Sequence, residues 1–587
     1  MANRIESPFA SLSLSRCFIH RCRNLFSAAR LSFLLIAMIG AMLMACKPPK
    51  PPIPPTPTPP LALSLKSNQP IEMKLKSSEV HRYLVEAVAG QFLRVLVEQR
   101  GIDVIVSLHA PNGDELLKVD SPGGGEGPES VSVVAEAQGS YQIKVLSLDK
   151  EASGRYEAQL VALRVPTQSD LILNRGEKAE AEAEKLDDSQ VWADKKQAVD
   201  KYKVALKCWQ ELRERRNEAR TLSRLGRLYA RSPEQRLALK YYDAAMPIWQ
   251  ELHDRKWEAR VFDSLGYVHN SLAETQKALD NYFLALAIWQ AEKVVSREAL
   301  TLNNIGVAYS DQGEKRKALR FYEQAFPLFS DAAAKAETLN DIGVVYADLG
   351  EMQKALDAYN QAISLNASRD ELLKAAILNN IGQVYVLSGA PQYSYYDEAL
   401  KIFQTHNDLA GKADTLNYLG GAHWTSGNYQ HSAGSAEQAG AYQEAERFYS
   451  ESLALWRQAE DHTGEANTLH NLGRLYDSQG KLREALSHYE QARQLMSEVN
   501  DRMLEVAILN NLGFVNDKLG MRRQALDFHN RALQLCRKLG DQVREARVRY
   551  GIALIERTNG RLPQARLQIE KAIRIIERLR SDLTNPE

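Results

Sequence analysis

TLNNIGVAYSDQGEKRKALRFYEQA, residues 301–325, decides how this chain folds. Leu302, Ile305, Gly306 and Tyr309 fall at helical spacing on one stripe of a first helix, and Ala318, Tyr322 and Ala325 do so on a second. Gly313 occupies the turn between them. Small residues at Gly306, Ala318 and Ala325 let the two helices approach closely, and the tyrosines fill the space beside them. A helix pair of this size cannot bury its apolar stripe alone, so the stretch predicts a stack of similar units.

The rest of the chain repeats it. Glycines recur at Gly226, Gly266, Gly306, Gly343, Gly382, Gly420, Gly473 and Gly513, mostly about forty residues apart. The second-helix triplet returns as Ala238, Tyr242, Ala245, as Ala278, Tyr282, Ala285 and as Ala485, Tyr489, Ala492, with His529 and Ile569 in the tyrosine position of the last two units. This pattern closely resembles the tetratricopeptide repeat. The resemblance implies about ten repeats over residues 175–580, a mostly α fold and an α-solenoid wound as a right-handed superhelix. Two units depart from the period. The Gly382 unit is about two residues short near Ala390 to Ser394, and the Gly420 unit carries an insertion, roughly Asn428 to Gly440, predicted as a surface loop.

Over 587 residues, 74 Lys plus Arg balance 74 Asp plus Glu, leaving no electrostatic case for nucleic acid. Hydrophobic content of 44% and charged content of 25% are those of ordinary globular protein. Near the start, Arg16, Arg21, Arg23 and Arg30 precede an apolar run from Leu31 to Ala45 that is too short to span a bilayer comfortably. Leu43-Met44-Ala45-Cys46 resembles a bacterial lipobox, which makes residues 1–45 a lipoprotein signal peptide and Cys46 the lipidated N-terminus. An ordinary secretory signal, or a short N-terminal anchor, with Cys46 incidental is the alternative. Residues 46–60 then form a lipid-anchored, proline-rich linker, semi-rigid by composition. The expected location is the cell envelope, lipid-anchored and extracytoplasmic, on the periplasmic side or at the outer membrane. Cys208 and Cys536 read as small core residues.

Residues 61–165 change to a period of two, with alternation from Glu72 to Lys76, Tyr83 to Val88, Phe92 to Glu98, Val104 to His109, Val131 to Ala135, Tyr141 to Leu146 and Tyr156 to Leu163. Short strands and turns such as Pro111-Asn112-Gly113 predict a small all-β sandwich or jelly roll ahead of the helices. The stretch Gly101 to Leu108, with Gly139-Ser140-Tyr141 and Gly154-Arg155-Tyr156, resembles the bacterial pre-peptidase C-terminal type of β domain, an accessory module with no activity of its own. Asp103, Asp114 and Asp120 lack the spacing of a dedicated calcium loop and read as turn residues, so neither metal nor cofactor is expected.

Nine asparagines stand in first helices, where each is about 0.5 kcal/mol worse than alanine. Counting back from the glycines places Asn304, Asp341, Asn380, Asn471 and Asn511 opposite the packed stripe, beside Asn303, Asn340, Asn379, Asn417 and Asn510. An amide both donates and accepts, so such a row can hold an extended peptide backbone, or bridge adjacent repeats. The array is similar to kinesin-light-chain-like tetratricopeptide proteins, and that resemblance implies a peptide groove lined by these residues. Arg227, Tyr267 and Arg474 add charge and stacking to the candidate groove.

No metalloprotease, nucleophile-elbow or phosphate-loop motif is present, and His423 and His431 at the insertion read as solvated. The order of modules resembles the front part of proteins ending in a caspase-like CHAT peptidase domain, which would begin where residues 581–587 form a short tail. The reading is a non-catalytic, membrane-tethered extracytoplasmic scaffold that binds proteins or peptides. Regulation of a separately encoded caspase-like peptidase, or envelope polysaccharide binding through the β domain, are the alternatives.

Overall fold

The computed structural model describes residues 62–67, 69–76, 79–119, 126–147, 153–187, 192–232, 234–366, 370–429, 434–496 and 501–584. The predicted signal peptide, Cys46 and the proline-rich linker lie outside them, as do Asp120 and His431. Compact packing divides the chain between Asp254 and Arg255 into two units.

The first unit opens with the predicted sandwich. Its strands are β1 (Leu63–Ser64), β2 (Ile71–Lys76), β3 (Val80–Ala87), β4 (Phe92–Arg100), β5 (Val104–His109), β6 (Glu115–Val119), β7 (Glu126–Val134), β8 (Gly139–Ser147) and β9 (Ser153–Arg164). One sheet runs β1-β3-β8-β5-β6 and the other β2-β9-β4-β7. Alternate residues of both sheets, among them Val85, Val106 and Ile143 against Val95, Val97 and Ala158, make one core. Strand β6 has no counterpart in the alternation pattern, because its five residues bury only Leu117. The two Gly-x-Tyr motifs do what the sequence asks: Tyr141 and Tyr156 are buried, and a Cβ at Gly154 would stand 2.6 Å from the Gly101 carbonyl oxygen.

The sheet edge at β7 is closed by a helix. Gln168–Asp187 lies along it, and Glu177 accepts hydrogen bonds from the Ser132 N–H (2.9 Å) and hydroxyl (2.6 Å), while the Asn174 carbonyl accepts from the Val134 N–H (3.3 Å). Side chains thus occupy the donors another strand would take, which protects the edge from foreign pairing. Burial pushes the Glu177 carboxyl up to about 7. Phe92 of β4 packs with Leu173, Ala179 and Trp209, so sandwich and first helix pair share an apolar cluster. Glu180, buried in the same helix, meets Arg220 (3.2 Å) and Arg224 (3.0 Å) from the helix Arg215–Ala230. Burial raises its pKa, and the two guanidiniums reverse that and hold it below the ordinary value.

Twenty helices among the described residues form ten antiparallel pairs, two in the first unit and eight in the second. Within a pair, the ladder glycine meets the ring of the second helix. A Cβ would stand 2.6 Å from the Tyr242, Tyr282 and Tyr322 rings at Gly226, Gly266 and Gly306, and 2.5 Å from Tyr359, Tyr396 and Tyr489 at Gly343, Gly382 and Gly473. Gly420 faces Tyr449 at 2.7 Å and Gly513 faces His529 at 2.6 Å. Every one of these rings is buried. His529 has no hydrogen-bond partner at either nitrogen, and burial lowers its pKa to about 4, so it sits as a neutral ring.

A second aromatic contact clasps the helix turn. Tyr309 stacks on Phe321 (5.4 Å, 13°), Tyr385 on Tyr395 (5.5 Å, 10°) and Tyr476 on His488 (5.1 Å, 2°), each partner immediately preceding the ladder ring. Many first helices start on capping aspartates: Asp331, Asp370, Asp461, Asp501 and Asp541 accept from backbone N–H groups two or three residues on. The insertion near Gly420 differs from the expected loop. Helix Leu409–Tyr429 runs into it and Ala436–Gln458 starts within it, with Ser435 capping the latter. The Gln438 amide donates to the Gly427 carbonyl (3.0 Å) and Tyr442 packs on Gly427, so the two helices touch just ahead of the insertion.

Gly306→Ala is expected to lower stability by about 1–3 kcal/mol through overpacking against Tyr322, in spite of alanine's better helix propensity. Urea unfolding of the two proteins measures it, and an unchanged or raised midpoint contradicts the tight contact. Glu177 contributes stability in full below its ordinary pKa of 4.5, and this is lost as pH rises through about 7. Glu177→Gln keeps an acceptor for Ser132, so thermal melting should show the variant gaining on the parent between pH 5 and pH 8. Parallel pH profiles would refute the assignment.

Candidate interaction surface

In the second unit the first helices of successive pairs lie side by side, from Arg255–Ser271 through Val295–Gln312, Ala332–Asp348, Glu371–Leu387, Leu409–Tyr429 and His462–Ser478 to Arg502–Lys518. Their facing polar residues form a hydrogen-bonded rail. The Thr301 hydroxyl donates to Asp263 (2.7 Å), and the Thr338 hydroxyl to the Asn303 carbonyl (3.2 Å), whose amide donates to Asp341 (3.3 Å). Asn380 donates to Asn340 (2.8 Å), Asn379 to Thr415 (2.9 Å) and Asn471 to Asn417 (3.2 Å). Asn511 donates to His470 Nε2 at 2.9 Å. Burial, with Arg474 and Arg547 nearby, lowers the His470 pKa to about 3, so its ring is neutral and Nε2 accepts.

The structure therefore splits the predicted groove residues into two sets. Asn303, Asp341, Asn379, Asn417, Asn471 and Asn510 are buried between first helices, whereas Asn304, Asn340, Asn380 and Asn511 are only half-buried. Bridging between repeats is thus present for most of them. Asn340 uses only its carbonyl and Asn380 only its amide in their mutual bond, which leaves one hydrogen-bonding half of each. The Asn304 carbonyl has no partner.

The three flanking residues fall differently. Arg474 lies over the Trp424 ring, 4.4 Å from its centroid, and the Trp424 indole donates to Ser478 (3.0 Å). Tyr267 is half-buried in the second unit. Arg227 belongs to the first unit, where it pairs with Asp187.

Sequence reasoning missed the threonines. Thr221, Thr301, Thr338, Thr415 and Thr468 are fully or almost fully buried, and each stands five residues before a ladder glycine. That fixed offset was the available signal. It missed His470 because the residue occupies an asparagine position and acts as an acceptor there.

A separate cavity of ≈ 690 Å³ opens where the shortened and the lengthened repeats meet, lined by Pro391, Tyr393, His423, Ser426, Glu437 and Glu444 among others. His423, expected in solvent, lies between the rings of Tyr393 (4.5 Å, 17°) and Phe448 (5.4 Å, 21°), and burial lowers its pKa. It fills the position of Tyr309 and Tyr476 in the turn clasp. Among the described residues no group of three or more His, Cys, Asp or Glu could hold a metal ion, and no helix is long and apolar enough to cross a membrane. Asp114 accepts from the Asn112 amide (2.7 Å) as a turn residue would. Cys208 and Cys536 are buried and free.

Family models for the tetratricopeptide repeat match residues 430–498 and 504–578, and further models of that repeat match 336–368 and 299–328. No curated protein sequence matches the chain. Among solved structures, similarity extends to a Rap protein complexed with competence and sporulation factor, with 14% identity over 56% of this chain and 99% of that one at a TM-score of 0.36. A tetratricopeptide repeat protein from Parabacteroides merdae has 17% identity over 50% of this chain and 98% of that one, at 0.32. The apo quorum sensor NprR from B. thuringiensis has 16% identity over 63% and 99%, at 0.36. With paired helices, ladder glycines and family models over residues 299–328, 336–368, 430–498 and 504–578 in agreement, the helical part of this protein has the solenoid fold of the tetratricopeptide type.

Proposed function

We propose that the protein is a non-catalytic scaffold that captures proteins or peptides in extended form along the wall built by its first helices, while Cys46 tethers it to a membrane on the extracytoplasmic side. The observation that carries the capture is the amide pairing of Asn340 and Asn380. Each side chain is fixed by the other, half-buried, and left with one hydrogen-bonding half. Amides held in place in this way lose little entropy on meeting a peptide backbone, and they ask for no particular side-chain sequence. The Asn304 amide N–H and the Arg474–Trp424 stack supply further polar and cationic surface on the same row of helices, while the Asn304 carbonyl is shut away from solvent. The tether rests on the lipobox and on the prolines that follow it.

Asn304→Ala, Asn340→Ala and Asn380→Ala combined should reduce capture of the native partner from envelope extracts at least tenfold, about 1.4 kcal/mol. Removing both members of the Asn340–Asn380 pair orphans no buried group, so the helical melt should stay unchanged. Undiminished capture by this folded variant would defeat the reading. For the tether, cells fed a labelled fatty acid should label the parent and not Cys46→Ala, and equal labelling of the two would defeat the lipid anchor.

A further inference from the structure

The second unit finishes on a face that its earlier repeats keep covered. Four residues beyond the last small residue of each earlier second helix in this unit stand Trp289, Phe329, Asn366, Phe403, Trp456, Met496 and Cys536, all buried and all but Asn366 apolar. The same position in the helix Leu562–Thr584 is Ile576, which is 55% exposed, and Ile573 is 47% exposed where its counterpart Leu533 is 8%. Leu533 and Cys536 reach that burial against Val548 and Ile552, in the first helix of the following pair. On that helix, Gln542–Thr558, Tyr550 is 50% exposed where its counterpart Asn510 is 5%. Leu562, 62% exposed, and half-buried Ile569 extend the stripe along Leu562–Thr584. Among the described residues nothing covers this face, and isoleucines in register with core positions mark an interaction site more strongly than scattered surface apolar groups do.

We propose that this face is the interface of a two-fold homodimer, in which Leu562–Thr584 packs antiparallel against the same helix of a second copy. Each earlier second helix is covered by an antiparallel amphipathic helix, and a helix of that kind fits this face as well. Leu562–Thr584, 23 residues long, is itself such a helix. Its charges select the register. With the two-fold axis between Lys571 and Ala572, Ile569 lies within one residue's rise of Ile573 of the partner subunit, and the Arg580 stem lies equally close to Leu562 of the partner subunit. Arg566 and Glu577 share one flank of the stripe, which places Arg566 level with Glu577 of the partner subunit, twice by symmetry. Sliding the axis to Ile573 would set Arg566 against Arg580 of the partner subunit, and like charges disfavour that register. Within one chain Arg566 pairs with Glu570 at 2.7 Å, an exposed contact that can be exchanged at little cost.

Sedimentation velocity of the full chain in mild detergent tests the dimer. The parent should sediment as a dimer, and Ile573→Glu with Ile576→Glu as a monomer of unchanged helical content. Arg566→Glu should weaken association by about tenfold, and adding Glu577→Arg should restore it, because the swap rebuilds both pairs. This second comparison stands even where the isoleucine variant fails to fold. A monomeric parent, a dimer that survives the folded isoleucine variant, or a charge swap that restores nothing would each overturn the proposal.

Discussion

The helical array depends on one contact, the closure of a ladder glycine on an aromatic ring inside eight of its ten described helix pairs. A helix that presents a Cβ at that point would hold its partner away and open a void under the ring, and interiors tolerate neither strain nor voids well. Glycine in mid-helix costs about 1 kcal/mol of propensity. The ring it admits removes on the order of 150–200 Å² from water, about 4 kcal/mol by area, so the exchange favours the pair. The contact recurs at Gly226, Gly266, Gly306, Gly343, Gly382, Gly420, Gly473 and Gly513. His529 preserves the shape of the contact and loses the phenol, which leaves a buried imidazole without partners.

Close pairing fixes what the outer surfaces can do. Once second-helix rings are seated, the first helices stand in a row, and the residues where they face one another need hydrogen bonds. Thr301, Asn303, Thr338, Asp341, the Asn379 amide N–H and Thr415 meet that need as a rail of polar contacts from repeat to repeat, with the Asn379 carbonyl left without a partner. Buried polar groups that are satisfied in this way specify one packing register more sharply than apolar contact alone. What remains for the proposed capture after the rail is built is the half-buried amides at Asn304, Asn340 and Asn380.

The β sandwich is not a bead on a string. Its β7 edge is closed by Glu177 and Asn174, and Phe92 shares a cluster with Trp209, so the first helix pair completes the sandwich as much as it begins the array. A boundary drawn at residue 165 by the change of period marks a change of secondary structure within a single packed unit.

The sequence by itself determined the paired helices and the β sandwich ahead of them, because periods of 3.6 and 2 and small-residue positions are local properties written at fixed offsets. It also located the asparagines. Tertiary structure alone decided which of them face a neighbour and which keep a free half, since that depends on how closely adjacent first helices approach: Asn379 is 1% exposed while Asn380, one residue on, is half-buried. The same holds for the insertion, where residues 428–429 and 436–440 read as loop and are helical, in helices that meet where Tyr442 packs on Gly427. It holds as well for Ile573 and Ile576, apolar residues in a core register whose exposure comes from having no helix stacked upon them.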